Sequence, residues 1–172
     1  MNPLLLVAHS DDWVSGRVRR WTGPRWFHVW MIAATRLGDG WAWVAVLLTV
    51  PARADHQQAR VLAEALVAVT AVNLVLVALK RTCRRERPAP RSGGPEVAAP
   101  DLFSFPSGHT MNAFAVAVLV SARVPVAAPA AMVIASSIGA SRVVLGLHYA
   151  SDVVAGAVLG SALAGVALVA LG

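Results

Sequence analysis

The sequence predicts an all-α integral membrane protein, a bundle of helices embedded in a bilayer. Composition is the first ground: 57% of the 172 residues are hydrophobic and only 14% are charged, whereas a soluble domain carries about a quarter charged residues. One core of this size cannot hide so many apolar side chains. The second ground is their arrangement in long unbroken runs, with no strand-like alternation to compete with them. The length suits a single membrane-embedded domain over residues 1–172.

The remaining composition narrows the class. A net charge of +6, almost all from arginine, would suggest nucleic acid on a soluble protein. On a membrane chain it reads as headgroup contacts and phosphate chemistry, and no nucleic-acid partner is expected. Cys83 is the single cysteine, so neither an intramolecular disulfide nor a cysteine-rich metal site is expected. The opening MNPLLLVAHSDDW lacks the basic start and the long apolar run of a signal peptide, so insertion is expected to use the internal helices.

The elements follow in order. Residues 1–25 combine Arg17, Arg19, Arg20 and Arg25 with early tryptophans. They read as an interfacial segment or, equally well, as an ordinary amphipathic helix. Two short apolar pieces, 26–37 and 41–50, are split by Gly-Asp-Gly at 38–40 and closed by Pro51. Each is shorter than the about 20 residues of a full span, so they form two short tilted helices or one broken one, with Asp39 as a natural N-cap for the second. Residues 61–79 give the clearest spanning helix, in which Glu64 and Asn73 should face other helices or the interface. Residues 80–105 turn basic and then rich in Pro and Gly, the signature of a turn and a loop. Further helices are predicted over 108–123, from Pro125 and Pro129 to about 145, and over 150–171, where Gly156 and Gly160 allow close helix packing.

Three polar clusters interrupt this apolar chain. Lys80, Arg87 and Pro88 form the first; Pro106, Ser107, Gly108 and His109 the second; Arg142, His148 and Asp152 the third. The first ends one helix and the second begins the next. Two helices separate the second from the third. An even number of crossings returns a chain to the same face, so all three should meet on one side of the membrane.

The residue types define a chemistry. Lys80, Arg87 and Arg142 can converge on a multiply charged anion, the arginines through paired charge-assisted hydrogen bonds. Ser107 and Gly108 open a helix, where backbone N–H groups and the helix dipole favour an anion. His148 and Asp152 are four apart and share a helix face. A carboxylate on one imidazole nitrogen fixes the tautomer and makes the other a better nucleophile. His109 is placed to protonate a leaving group. Any one of these alone is ordinarily a satisfied polar residue at a helix end, and His9, His28 and His56, which have no such partners, are read that way. Arg81, Arg84, Arg85 and Arg91 are read as solvated or as lipid-headgroup contacts.

Together, Lys80-x6-Arg87-Pro88, Pro106-Ser107-Gly108-His109 and Ser141-Arg142-x5-His148-x3-Asp152 resemble the three-part signature of the type-2 phosphatidic acid phosphatase superfamily, with every signature position matched. The resemblance implies a membrane lipid phosphatase with six transmembrane helices and both termini cytoplasmic. It implies that His148 attacks phosphorus, that Asp152 orients it, and that His109 protonates the leaving oxygen and then activates water. Lys80, Arg87, Ser107, Gly108 and Arg142 would hold the phosphoryl oxygens. Such enzymes need no metal or other cofactor, and the sequence has no carboxylate cluster suited to magnesium.

With six helices, discounting the phosphate-binding cations tips the positive-inside count toward an extracytoplasmic active site at the inner membrane. The partners expected are the bilayer and a lipid phosphate or diphosphate. Family candidates are phosphatidylglycerol phosphate, phosphatidic acid, polyprenyl diphosphates and lipid A phosphates. The 89–101 loop is expected to act as a gate or headgroup selector. A phosphotransferase using the same histidine is the alternative activity. Vanadium-dependent haloperoxidases share the signature but are larger and soluble.

Overall fold

The computed structural model describes residues 3–20, 23–40, 56–88 and 101–171. The apolar piece at 41–50 and residues 89–100 of the expected gating loop lie outside them. The described residues form helices α1 (Pro3–Arg20), α2 (Arg25–Leu37), α3 (His56–Cys83), α4 (Gly108–Arg123), α5 (Ala128–Val144) and α6 (Ala150–Leu171), with a 3-10 turn at Pro125–Ala127 between α4 and α5. Among them the only strand-like pairing is an isolated antiparallel bridge between Glu86 and Phe103. Among the described residues, three stretches are long and apolar enough to cross a membrane: Ala59–Cys83, Pro125–Val144 and Ala150–Leu171. At 13 and 16 residues, α2 and α4 are shorter than a full span.

Helix α4 is the centre of the bundle because it is apolar on more than one face. One side packs Met111, Ala115 and Leu119 against Ala68 and Val72 of α3 and Ala164 and Ala167 of α6. Its other side packs Ala113 and Ala117 against Ala135 and Ile138 of α5. The small residues of α6 do what their spacing predicts: a Cβ on Gly160 would lie 2.1 Å from the Met111 carbonyl oxygen, and one on Gly156 2.8 Å from that of Ser107. Only glycine permits this contact between backbones. The outer faces are apolar too, with Leu66, Leu74, Val154, Val158 and Val166 exposed, as a lipid-facing surface requires.

Polar residues mark the two ends and one flank. At one end of α3, Glu64 is buried and accepts from Arg123 Nε at 2.9 Å and Arg60 Nε at 3.3 Å, so it faces another helix as expected. Asn73, though exposed, also faces a neighbouring helix, across the cleft that α3 shares with α4. At the other end the termini of α3, α4, α5 and α6 gather, and the three polar clusters meet there as the parity of crossings requires.

Candidate active site

The placement of His148 begins with the end of α5. Gly146 has φ +72°, a left-handed conformation that costs glycine alone nothing. Its N–H bonds the Val143 carbonyl at 3.0 Å and the Leu147 N–H bonds that of Arg142 at 2.9 Å. This paired closure is the Schellman motif. The His148 N–H shares the Arg142 carbonyl at 3.0 Å, so the chain doubles back and His148 is buried, only 2% exposed.

Asp152 is fixed from several sides. It is the third residue of α6, and its Oδ2 accepts the Tyr149 N–H at 2.9 Å, capping the helix. Its backbone carbonyl accepts the Ser107 N–H at 3.1 Å. His148 Nδ1 lies 3.6 Å from Oδ2, an ion-pair distance rather than the hydrogen bond expected.

The other ring nitrogen faces Arg87. Nη1 of Arg87 donates to the Leu147 carbonyl at 2.6 Å and meets His148 Nε2 at 3.1 Å. A guanidinium has no acceptor, so Nε2 is the acceptor and the ring proton sits on Nδ1, toward Asp152. Burial, helped by the charges of Arg87 and Arg142 and opposed by the pull of Asp152, brings the His148 pKa down to about 4. His148 is thus a neutral imidazole with the lone pair of a nucleophile on Nε2.

Arg142, 1% exposed, donates from Nη1 to Thr35 Oγ1, while its buried Nε has no partner. A buried guanidinium with an unmet donor points to an anion. Lys80 Nζ donates to Asp101 Oδ1 at 2.8 Å and to the Phe103 carbonyl at 2.7 Å, and Arg87 Nη2 reaches the same Asp101 oxygen at 3.0 Å. Burial would raise the Asp101 pKa, but the bonds from Lys80 and Arg87 hold it below the ordinary carboxylate value. Asp101 therefore takes from both cations the charge-assisted bonds that phosphoryl oxygens also take.

His109 has a carboxylate of its own. Its Nε2 lies 2.9 Å from Asp39 Oδ1. An ionised carboxylate only accepts, so Nε2 carries a proton and Nδ1 is left for proton exchange. The approach depends on Gly38, where a Cβ would stand 2.9 Å from both His109 and Ile138. The Asp39 carboxylate thus bonds a site histidine; the 41–50 piece it is expected to cap lies outside the described residues.

A cavity of about 340 Å³ collects Lys80, Arg87, Gly108, His109, Arg142 and His148 on one wall system. Ser107 and Asp152, both fully buried, lie behind it. Ser107 was expected to offer its N–H to an anion. That group is spent on Asp152, and its Oγ accepts from Thr110 at 2.9 Å. Through the bond to Asp152 it ties α4 to α6. Among the described residues, no group of three or more His, Cys, Asp or Glu side chains is placed to hold a metal ion.

Arg85, read from sequence as solvated, is a second correction. It donates to Asp152 Oδ1 at 2.9 Å, to Ser151 Oγ at 2.7 Å and to Asp11 Oδ2 at 2.7 Å, and it stacks 4.1 Å from the Tyr149 ring centroid. Asp11, 3% exposed, also accepts the Ser151 N–H at 3.0 Å. Helix α1 therefore reaches the back of the site through Asp11. A pair of acids at 11–12 beside an apolar run was the one sequence signal for it.

Helices of spanning length around a buried histidine, its carboxylate and three cations define a helical membrane protein with one polar cavity. The model of the PAP2 superfamily matches residues 61–171, and the chain belongs to that superfamily. It is 44% identical over 80 residues to the decaprenylphosphoryl-5-phosphoribose phosphatase of Mycolicibacterium smegmatis, covering 46% of this chain and 43% of that protein. It is 36% identical over 87 residues to the protein of the same name from Mycobacterium tuberculosis, covering 51% and 48%. The match thus spans about half the length of these curated relatives. The fold is similar to that of a transmembrane PAP2-type phosphatidylglycerolphosphate phosphatase from Bacillus subtilis, with TM-score 0.77, 27% identity and coverage of 98% of this chain and 86% of that one. LpxE of Aquifex aeolicus shares the fold at TM-score 0.70 and 20% identity, covering 95% and 94%.

Proposed function

We propose that this integral membrane protein is a lipid phosphatase that hydrolyses a phosphomonoester or diphosphate on a lipid headgroup through a phosphohistidine, without a metal. The observation that carries the reading is the neutral, buried His148, whose Nε2 lone pair meets Arg87 at the cavity wall. Substrate binding draws Arg87 from Nε2 onto the phosphoryl oxygens, beside Lys80 and Arg142. Nε2 attacks phosphorus as the ester P–O bond breaks. The bonding pair leaves with the lipid oxygen, which takes the Nδ1 proton of His109 in its imidazolium form, leaving that ring neutral with its Nε2–H on Asp39. Asp152 balances the charge that the His148 ring gains. Water then gives a proton to His109 and its oxygen attacks phosphorus. The N–P bond breaks, its pair returns to Nε2, and phosphate departs.

The names of the relatives support a lipid phosphate as substrate, and the cation count supports an extracytoplasmic site. Phosphate release from lipid phosphates in detergent micelles with EDTA, comparing wild type with His148→Ala, tests the reading. EDTA-resistant release that the substitution abolishes, with acid-labile, base-stable phosphate trapped on wild type alone, is the expected result. Release that survives His148→Ala overturns it. Adding an alcohol acceptor separates hydrolase from phosphotransferase by product.

A further inference from the structure

The cavity does not end at the phosphate-binding cations. It continues as a cleft between α3 and α4, with Leu76, Asn73 and Val69 on one side and Asn112 and Val116 on the other. Lys80 and Gly108 stand at the same end of these two helices. At 1.5 Å per residue, Asn73 lies about 10 Å along α3 from Lys80, and Asn112 about 6 Å along α4 from Gly108. Beyond the two amides the wall is valine.

An asparagine at each place needs a reason. Asn73 sits inside the spanning stretch Ala59–Cys83 and is exposed, where an amide without a hydrogen-bond partner is costly in an apolar medium. Its Nδ2 donates to the Val69 carbonyl at 2.8 Å, and that of Asn112 to the Gly108 carbonyl at 3.1 Å. Each bond uses one N–H. Among the described residues the two Oδ1 atoms and the second N–H of each amide have no partner. A plain hydrocarbon tail would leave all four groups unmet. A hydroxyl both donates and accepts, and so matches an amide edge.

We propose that Asn73 and Asn112 form a subsite for a hydroxyl-bearing spacer, a glycerol or a pentose, between the reacting phosphate and the hydrocarbon tail. This deepens the lipid-phosphatase reading and rests on it. A three-carbon polyol or a pentose ring reaches from the cations to the amides, and the tail then meets Val69 and Val116. A lipid with its phosphate directly on a prenyl chain leaves the amides unpaired, and a site built to bond a hydroxyl discriminates against a ligand without one.

The test uses three probes: diacylglycerol-phosphoglycerol phosphate, a polyprenylphosphoryl pentose 5-phosphate and a polyprenyl monophosphate. Wild type, Asn73→Leu and Asn112→Leu are compared by kcat/KM for each lipid. Binding is read separately as the lipid-dependent rise in thermal midpoint of the non-reacting His148→Ala protein, with and without each asparagine change. The expected result is a wild-type preference for the hydroxyl-bearing lipids, falling about tenfold with each leucine. The better of the two such lipids names the spacer. A loss equal on all three lipids, or no wild-type preference in either measurement, overturns the subsite. Absence of phosphate release with the binding preference intact overturns the phosphatase reading and leaves the subsite standing.

Discussion

Arg87 and His148 meet at one nitrogen, Nη1 to Nε2 across 3.1 Å. The contact fixes the tautomer and covers the lone pair that the reaction uses. It also makes Arg87 two-sided: the same guanidinium reaches Asp101, so a phosphoryl group can take it over without a new cation being brought to the site.

The first prediction concerns pH. His148 titrates near 6.5 in the unfolded chain and near 4 in the folded one, because burial and two guanidinium groups oppose its charge. Between those values only the unfolded state binds the proton, so stability falls as pH drops from 6.5 toward 4. Thermal midpoints across that window should fall more steeply for wild type than for His148→Ala. Parallel curves would mean that the imidazole is not held neutral.

Asp39 should act through His109. Asp39→Ala is expected to lower kcat for a lipid phosphate by about tenfold to a hundredfold, a fraction of what a general acid supplies. It should hardly change kcat for p-nitrophenyl phosphate, whose leaving group departs without a proton. Equal losses on both substrates would remove Asp39 from the proton-transfer step.

Arg85 and Asp11 are positioning residues, since neither touches the cavity and both act through Asp152. Arg85→Ala leaves the buried Asp152 carboxylate without its cation and should reduce kcat about hundredfold with KM little changed; Arg85→Lys should restore part of it. Asp11→Asn should have a smaller effect in the same direction. An effect confined to KM, or no recovery with lysine, contradicts this role.

Gly146→Ala forces a Cβ into the left-handed region, which costs about 1–2 kcal/mol. A lower thermal midpoint is expected, together with a loss of kcat that Gly165→Ala, whose Cβ would meet nothing within 4 Å, does not share.

Local pattern and long-range pairing divide what the sequence could reveal. Helices α3, α5 and α6 were legible because run length and proline placement are local facts. The meeting of Lys80, Arg87, His109, Arg142 and His148 followed from the parity of crossings. Asp39, Asp101 and Asp11 were missed because each finds its partner on another element, 70 residues away for Asp39 with His109 and 74 for Asp11 with Arg85. Nothing local says which arginine in a run points inward, so Arg85 looked like its solvated neighbours. Ser107 was legible as a site residue but not as a tie between helices, since its backbone bond to Asp152 is a tertiary fact.

The glycine contacts between α4 and α6 set a ruler for the site. Gly156 and Gly160 lie against the backbone of Ser107 and Met111 with no side chain between them. The helix that carries His109 and the one that carries Asp152 are therefore spaced by main-chain thickness, which has no rotamers to exchange. Against α3, which holds Lys80, helix α4 makes its close approach through a side chain instead, Leu76 over Gly108. A spacing set by a side chain can adjust by a change of rotamer; one set by backbone cannot.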